Sequence, residues 1–323
     1  MAMNVRVGTR GSQLALYQAD EVEAKLRSLG FTTDRVIIRT RGDRNQRVPL
    51  FGMGEKGVFV KELERALEAG EIDLAVHSAK DVPTELDDAF ELVAALPRGP
   101  IWDVLVSPYA ALDDLPYGAR VGTSSIRRAA MIRRKRPDLE CVPIRGNVDT
   151  RLKKVHRGDV DALVLAQAGL ERLGFVQWNP DGISGRVTIP EIGATLKARI
   201  LQAPDFIPAA AQGIIVVEAR RDHSLRDAFR VMDDPVTSRA LTLERRIILG
   251  LGGGCHAPVG VYSRPLEQSG EEFEVFLLVL TPDGSESLAY RCHGRFPGVA
   301  EEVLQFLEAS SRYQQIREQW RDH

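Results

Sequence analysis

The sequence VRVGTRGSQLAL, residues 5–16, passes from a strand pattern into a helix pattern. Apolar side chains alternate over residues 4–7, which predicts a strand, and Ser12 belongs to the residue class that caps helix N-termini. The helix is expected to end at Gly30. A second stretch, ARVGTSSIRRAA at residues 119–130, repeats Val-Gly-Thr at a predicted strand end, followed by hydroxyl residues and a helix. This repetition predicts two α/β domains of similar build.

Between these two stretches the chain keeps alternating between strand and helix patterns. A glycine-rich and charged segment, residues 41–57, is long for a connection inside a compact domain and is expected to act as a lid or binding loop. After a strand predicted at residues 72–76, a polar turn carries His77, Lys80 and Asp81. Open α/β sheets bind ligands at the carboxyl ends of their strands, so this turn is a candidate site. An ordinary solvated turn is the alternative.

Later segments complete the predicted architecture. A junction at residues 142–152 is expected to end a strand at Arg145 and to begin a helix near Asn147. An apolar strand at residues 213–218 is explained if the chain crosses from the first domain to the second and back. The strands and helices after residue 222 then predict a small α+β domain. Further predicted elements are strands near residues 35–39, 259–262, 273–280 and 287–296, helices at 58–69, 191–201, 225–232, 236–250 and 298–312, and a short helix carrying Arg172.

Composition narrows the class of protein. The 323 residues are 44% hydrophobic and 27% charged, as in globular proteins, and are enough for two or three domains. The net charge of −2 provides no overall basic field for nucleic acid. No signal peptide pattern and no apolar run of about 18 residues is present, and three cysteines are an odd number. We therefore expect a cytoplasmic protein with free thiols and no membrane partner.

Three strand-to-helix junctions share one design, in which a glycine-permitted turn precedes a capping residue and one or two arginines. Helix N-termini attract anions, and arginine adds bidentate recognition of carboxylate or phosphate. Three such junctions predict a ligand with several anionic groups. A solvated surface charge is the alternative for any single arginine, and it is the interpretation that we favour for the run Arg133–Arg136.

Nucleotide and metal sites are not favoured. There is no Walker A pattern, and GMGEKG at residues 52–57 does not follow a strand as the dinucleotide fingerprint does. Cys255-His256 and Cys292-His293 lack the spacing of zinc sites, so no metal is expected. Cys292 lies in a strand pattern and is expected to be packed.

The stretch LGLGGGCHAP, residues 249–258, presents Cys255 after three glycines. Glycine allows positive φ and lets a bulky group approach the backbone closely. A reactive thiol that carries a large group is one interpretation. A small buried cysteine beside a turn is the other.

Taken together, the motifs resemble the porphobilinogen deaminase family, also called hydroxymethylbilane synthase. The matching segments run in family order from residue 5 to about residue 260, and they are VGTRGSQLAL, GEKGVFVKELE, DLAVHSAKDVP, VGTSSIRR, RGNVDTRL, AGLERLG, PAAAQG and GGGCHAP. The resemblance implies two periplasmic-binding-protein-like α/β domains with a cleft between them and a small C-terminal α+β domain with a three-stranded antiparallel sheet. The expected domains are residues 1–98 with 209–229, residues 99–208, and residues 230–323.

The resemblance also implies the chemistry. The family condenses four porphobilinogen molecules, with loss of ammonia, into linear hydroxymethylbilane on a dipyrromethane cofactor that it makes from its own substrate. Cys255 matches the cysteine that holds this cofactor through a thioether, and Asp81 matches the catalytic aspartate. The positions matching carboxylate-binding residues are Arg10, Ser12, Lys80, Ser125, Arg127, Arg128, Arg145, Arg151 and Arg172. Phe59 and Gln18 match positions next to the substrate.

Some positions depart from the family pattern. The segment 178–206 is longer than the usual connection, Ala211 stands where glycine is typical, and His256 follows the cysteine where glutamine is frequent. The alternatives to the enzyme are a non-catalytic binder of an anionic metabolite and a nucleic-acid-binding role for SIRRAAMIRRKR. A binder has no need of a glycine-framed cysteine. We expect a monomer.

Overall fold

A computed structural model describes residues 3–38, 60–252 and 257–320. The chain divides into two compact units, formed by residues 1–99 with 213–241 and by residues 100–212 with 242–323.

The first unit contains a five-stranded sheet of order β2-β1-β3-β12-β4, parallel except for β12, which runs antiparallel to both neighbours. The late apolar strand predicted at residues 213–218 is thus confirmed, two residues further along. The elements are β1 Asn4–Thr9, α1 Gln13–Ser28, β2 Thr32–Ile37, α2 Lys61–Glu68, β3 Leu74–Ser78, β4 Phe90–Ala95, β12 Ile215–Arg220 and α6 Arg226–Arg230.

The second unit contains a seven-stranded sheet of order β7-β6-β8-β5-β11-β10-β9. Its β7-β6-β8 part is parallel and the remaining strands pair antiparallel. The elements are β5 Asp103–Ser107, β6 Arg120–Gly122, α3 Ile126–Lys135, β7 Glu140–Val142, α4 Val148–His156, β8 Ala162–Ala166, α5 Gln167–Arg172, β9 Val176–Trp178, β10 Ser184–Thr188 and β11 Thr195–Leu201.

The same unit holds the antiparallel sheet β13-β14-β15, which confirms the predicted three-stranded C-terminal sheet. Tyr262, Leu278 and Leu280 of this sheet pack in one core with Met131 and Ile132 of α3. The elements are α7 Pro235–Leu251, which begins in the first unit, β13 Val259–Pro265, β14 Glu272–Leu280, β15 Ser287–Arg295, α8 Gly298–Ala309 and α9 Ser311–Glu318.

The repeated Val-Gly-Thr has a packing cause. A Cβ on Gly8 would lie 2.3 Å from Ile72 Cδ1, and a Cβ on Gly122 would lie 2.7 Å from Leu163 Cδ2. Each glycine therefore occupies a strand position where the neighbouring aliphatic side chain leaves no room for a methyl group. The strand that carries this glycine, β1 or β6, is second in the order of its sheet. In both sheets the first three strands are parallel and the fourth, β12 or β5, is antiparallel to the third. The predicted similarity of the two α/β halves is confirmed.

The helix predicted at residues 191–201 is wrong. Residues 195–201 form β11, in which Leu196, Ala198 and Ile200 are buried and the residues between them are exposed. This alternation with a period of two is that of a strand, and the polar residues on both sides of it obscure the pattern in the sequence. The strand expected to end at Arg145 is also shorter, since β7 stops at Val142.

Candidate active site

The turn that carries Asp81 is fixed by its backbone and by a neighbouring side chain. Strand β3 ends at Ser78, and a single 3₁₀ turn, Ala79–Asp81, follows. The Ala79 N–H donates to the Ile214 carbonyl at 3.0 Å, and Gln18 Nε2 donates to Ser78 Oγ at 2.7 Å. Asp81 itself is exposed at the end of this turn. Its carboxylate is therefore exposed to solvent, on a turn that hydrogen bonds to Ile214 and Gln18 hold in place.

A pocket of about 80 Å³ opens beside this turn, and it brings together four residues predicted from the sequence. Arg10, Ser12, Gln18 and Asp81 line it, and His77, Ser78 and apolar side chains form the rest of the wall. Ser12 also caps α1 as predicted, because its Oγ accepts from the Ala15 N–H at 3.3 Å. One end of the sheet therefore groups a guanidinium, a hydroxyl, an amide and a carboxylate. Lys80 lies in the same 3₁₀ turn as Asp81.

His77 is not part of the polar turn in which the sequence places it. It lies inside β3 and is buried, with Nε2 at 2.8 Å from Oε2 of Glu218 on β12. The Glu218 side chain is fully buried. Sequence reasoning missed Glu218, although a single acidic residue in the apolar run IIVVEAR is a visible signal for a buried polar contact.

Two predicted arginines of the second unit meet a carboxylate that the sequence did not single out. Ser125 caps α3 by accepting from the Arg128 N–H. Arg127 Nη2 lies 2.8 Å from Asp103 Oδ2, and Arg128 Nη2 lies 2.6 Å from Asp103 Oδ1. Gln212 Nε2 adds a third donor to Asp103 at 3.0 Å. The three charged side chains are almost entirely buried.

The pKa values of this cluster follow from burial and charge. Burial alone would raise the pKa of Asp103, but Arg127, Arg128 and the donor from Gln212 outweigh it and hold the pKa well below the usual range. Burial lowers the pKa of Arg127, and Asp103 partly offsets that effect. The cluster therefore contains one carboxylate and two guanidiniums, which leaves one positive charge in excess.

The remaining predicted arginines lie on the junctions of the same unit. Arg145, Arg151 and Arg172 are each partly buried. Arg151 Nε donates to the Gly146 carbonyl at 2.8 Å, which folds its side chain back over the turn before α4. Asn147 occupies the N-cap position of α4 as predicted, but its side chain makes no capping hydrogen bond. Arg172 is the last residue of the short helix α5, also as predicted.

Cys255, Phe59 and the segment predicted as a lid lie outside the described residues. The helix that leads to the cysteine is described up to its end. The buried Tyr313 hydroxyl donates to the Leu251 carbonyl at 3.2 Å, and Gly252 follows with φ +66°. Among the described parts of the chain, no cluster of three or more metal-binding side chains is found, and no helix is long and apolar enough to cross a membrane.

Two family models match this chain. The model described as "Porphobilinogen deaminase, dipyromethane cofactor binding domain" matches residues 5–227, and "Porphobilinogen deaminase, C-terminal domain" matches residues 238–305. A protein named porphobilinogen deaminase from Nitrobacter winogradskyi is 46% identical over 286 residues, covering 87% of this chain and 84% of that protein. A protein of the same name from Xanthomonas oryzae pv. oryzae is 46% identical over 264 residues, covering 80% of this chain and 81% of that protein.

Solved structures give weaker similarities. A putative lipoprotein from Actinomyces odontolyticus superposes with a TM-score of 0.42 at 14% identity, covering 73% of this chain and 93% of that one. An arginine 3rd transport system periplasmic binding protein from Legionella pneumophila superposes with a TM-score of 0.39 at 15% identity, covering 72% of this chain and 92% of that one. TM-scores below 0.5 establish no shared fold, so the architecture rests on the strand orders described above.

Proposed function

Because the chain belongs to the porphobilinogen deaminase family, it is a transferase of tetrapyrrole biosynthesis that uses a dipyrromethane cofactor, and we propose that Asp81 is its catalytic residue. The reaction of the family joins four porphobilinogen molecules into linear hydroxymethylbilane with loss of ammonia. The observation that supports the assignment is the grouping of Arg10, Ser12, Gln18 and Asp81 around one pocket.

The chemistry of this pocket fits porphobilinogen. Each substrate ring carries an acetate and a propionate, which are anions, and a ring N–H, which is a hydrogen-bond donor. Arg10 supplies a charged donor and Ser12 a hydroxyl for a carboxylate, whereas the Asp81 carboxylate accepts from N–H groups. A site with donors for the carboxylates and an acceptor for the ring nitrogen can orient the ring in one way.

Asp81 has a second role in this proposal. Positive charge develops on the substrate ring as ammonia leaves, and a carboxylate held beside that ring stabilises the charge. The hydrogen bonds at Ala79 and Ser78 fix the turn before the reaction begins, so little reorganisation is needed. Asp81 is also placed to accept a proton from the ring that is attacked.

We propose that the arginines of the second unit, together with Lys80 and Ser125, bind the other carboxylates of the growing chain. Arg145, Arg151 and Arg172 are the partly buried members of this set. Arg127 and Arg128 contribute through the excess positive charge of their cluster with Asp103. That charge lies in a poorly solvated region, where its attraction for an anion is stronger than at the surface.

The residues present also fit the cofactor, whose rings carry the same carboxylates and N–H groups as the substrate. We propose that Cys255 holds it through a thioether, with Phe59 and Gln18 next to the incoming ring. The bound cofactor supplies the ring carbon to which the first substrate molecule is joined. The glycines at residues 252–254 allow a two-ring group to lie close to the backbone.

The intact mass of the denatured protein tests this attachment. We expect the wild type to carry the added mass of two linked pyrrole units and Cys255→Ala to carry none. Cys292→Ala, a change of another free cysteine, should keep the added mass. A wild type that stays unmodified after incubation with porphobilinogen would favour the non-catalytic binding protein instead.

The role of Asp81 is tested by Asp81→Ala. We expect attached or partly assembled cofactor but almost no turnover, measured as hydroxymethylbilane formed per enzyme. Asp88→Asn removes a nearby exposed carboxylate that does not line the pocket and serves as the control. Normal turnover in Asp81→Ala would contradict the assignment.

We also propose that the enzyme is monomeric and cytoplasmic and does not bind nucleic acid, and that residues 230–323 form its third domain. The gap between the two family models supports a boundary in that region.

The basic run Arg133–Arg136 makes contacts within the protein, and these contacts argue against nucleic acid binding. Arg133 donates to the Pro282 carbonyl. Lys135 pairs with Asp205, and Arg136 pairs with Asp138. Arg136 also binds carbonyls of the preceding loop, so this arginine is not the solvated surface charge expected from the sequence. Light scattering measures the oligomeric state.

A further inference from the structure

Helix α9 and Trp320, which follows it, contact the chain on both sides of the segment that carries Cys255. They come after the part of the chain that the family models match. The structure describes the chain before the cysteine up to residues 249–252, which we call the leading end of the segment. It describes the chain again from residues 257–259, which we call the trailing end. Both ends belong to the second unit, as does α9.

The leading end is held by α9. The Tyr313 hydroxyl donates to the carbonyl of Leu251, the last residue of α7, which has no partner within that helix. Tyr313 is only 3% exposed, and burial raises its pKa, so the hydroxyl keeps the proton that it donates. Gly252 follows with φ +66°, and a Cβ there would lie 3.2 Å from Arg317 Nη2. Helix α9 therefore satisfies the end of α7 and packs against the residue that leaves it.

The trailing end is held through strand β14. The N–H of Leu280 donates to the Pro258 carbonyl at 3.1 Å, and the Leu280 carbonyl accepts from Trp320 Nε1 at 2.9 Å. Leu280 is the last residue of β14 and is fully buried. The indole of Trp320 therefore fixes the strand end to which the trailing end is bound.

The two aromatic side chains also contact each other. The ring centroids of Tyr313 and Trp320 are 6.1 Å apart at an interplanar angle of 74°, which is an edge-to-face arrangement. A continuous series of contacts thus runs from Leu251 through the two rings to Leu280 and Pro258. The two ends are joined through these side chains as well as along the chain.

We propose that Tyr313 and Trp320 are positioning residues for the segment that carries Cys255. Holding Leu251 and Pro258 restricts the arrangements open to the residues between them. A larger fraction of molecules then presents the thiol in the arrangement that attachment of the cofactor needs. The inference rests on the proposed function, because that function assigns Cys255 as the attachment residue.

Hydrogen exchange in the Cys255→Ala protein tests the holding contacts without cofactor or substrate. In this background, Tyr313→Phe and Trp320→Phe each remove one donor and keep an aromatic ring. We expect the amides of the leading end to exchange about fivefold faster in Tyr313→Phe, as for the loss of one hydrogen bond of ordinary strength. The trailing end and Leu280 should respond in the same way to Trp320→Phe. Unchanged exchange at both ends in both variants would overturn the inference.

The rate of cofactor attachment tests the positioning itself. Protein made in cells that cannot synthesise porphobilinogen is cofactor-free, and its intact mass can be followed over time after porphobilinogen is added. At a temperature where circular dichroism shows every variant to be folded, Tyr313→Phe and Trp320→Phe should each attach the cofactor about fivefold more slowly than the wild type. A merely structural role would lower the thermal midpoint but leave the rate per folded molecule unchanged.

Tyr290→Phe is the matched control. Tyr290 lies on β15 of the same unit, and within the described ranges its hydroxyl binds Glu302 at 3.4 Å and contacts neither end. This variant should keep wild-type exchange at both ends and the wild-type attachment rate. If Tyr313→Phe and Trp320→Phe also attach the cofactor at the wild-type rate, the inference is wrong even though the enzyme is active. If the wild type gains no pyrrole mass, the proposed function fails instead, and hydrogen exchange still shows whether the two residues hold the ends.

Discussion

Asp103→Asn removes the only negative charge from the cluster that holds Arg127 and Arg128. The Asp103 carboxylate is fully buried and forms ion pairs with both guanidiniums. Its Oδ1 lies 2.6 Å from Arg128 Nη2, and its Oδ2 lies 2.8 Å from Arg127 Nη2. The asparagine keeps the size of the side chain but leaves two buried cations without a counter-charge. Removing one partner of a buried ion pair typically costs about 3–5 kcal/mol. For a unit of this size, each kcal/mol lowers the thermal midpoint by about 2–4 °C, so a decrease of roughly 6–20 °C is expected.

The pH dependence of this contribution has a definite sign. The pKa of Asp103 is lower in the folded protein than in the unfolded chain, so the stabilisation is complete above the unfolded value of about 3.9. It is lost as the pH falls through the folded pKa. Between pH 7 and pH 5 the difference between wild type and Asp103→Asn should therefore stay constant, and it should shrink only in strong acid.

Thermal unfolding followed by circular dichroism measures both effects. Asp205→Asn is the control, because Asp205 pairs with Lys135 at 3.0 Å at the surface of the same unit and is 39% exposed. Such pairs contribute about 0–1 kcal/mol. Equal midpoints for the two variants, or a midpoint for Asp103→Asn within 2 °C of the wild type, would refute the reasoning.

Two further variants test single contacts by the same measurement. Ser12→Ala removes the cap of α1 and should cost about 1 kcal/mol, whereas Ser28→Ala at the other end of the helix should cost less; equal losses would contradict the capping role. Tyr313→Phe removes the buried donor to the Leu251 carbonyl and should also cost about 1 kcal/mol, while Tyr117→Phe, at a side chain 90% exposed, should have no effect. A Tyr313→Phe midpoint equal to that of Tyr117→Phe would show that the hydroxyl contributes nothing.

The sequence predicted those parts of the fold whose signal is local. Ser12 and Ser125 cap helices because a hydroxyl precedes each helical pattern, and the late strand β12 is recognisable from its apolar run. The prediction of a helix over β11 was wrong because the polar turns on both sides obscure the alternation of buried and exposed residues along this strand.

The partners of buried charges could not be predicted in this way. Asp103 is 25 positions from Arg128 along the chain, and His77 is 141 positions from Glu218. Only the tertiary fold brings such residues together, by pairing β12 with β3 and by placing Arg128 of α3 next to Asp103 of β5. The arginines recognised from the motifs were therefore placed on the correct junctions, but the carboxylate that neutralises part of their charge was not found.

The glycines of the repeated Val-Gly-Thr offer a way to perturb one half of the molecule at a time. Gly8 and Gly122 occupy equivalent positions, and each faces an aliphatic side chain from its own unit, Ile72 or Leu163. One methyl group at either position should overpack that unit by about 1–3 kcal/mol and leave the other chemically unchanged. Calorimetry on the two alanine variants would then reveal whether the units melt as separate transitions or as one. The two glycines, one in each sheet, are thus a matched pair of positions at which the cooperativity between the two units can be measured within a single chain.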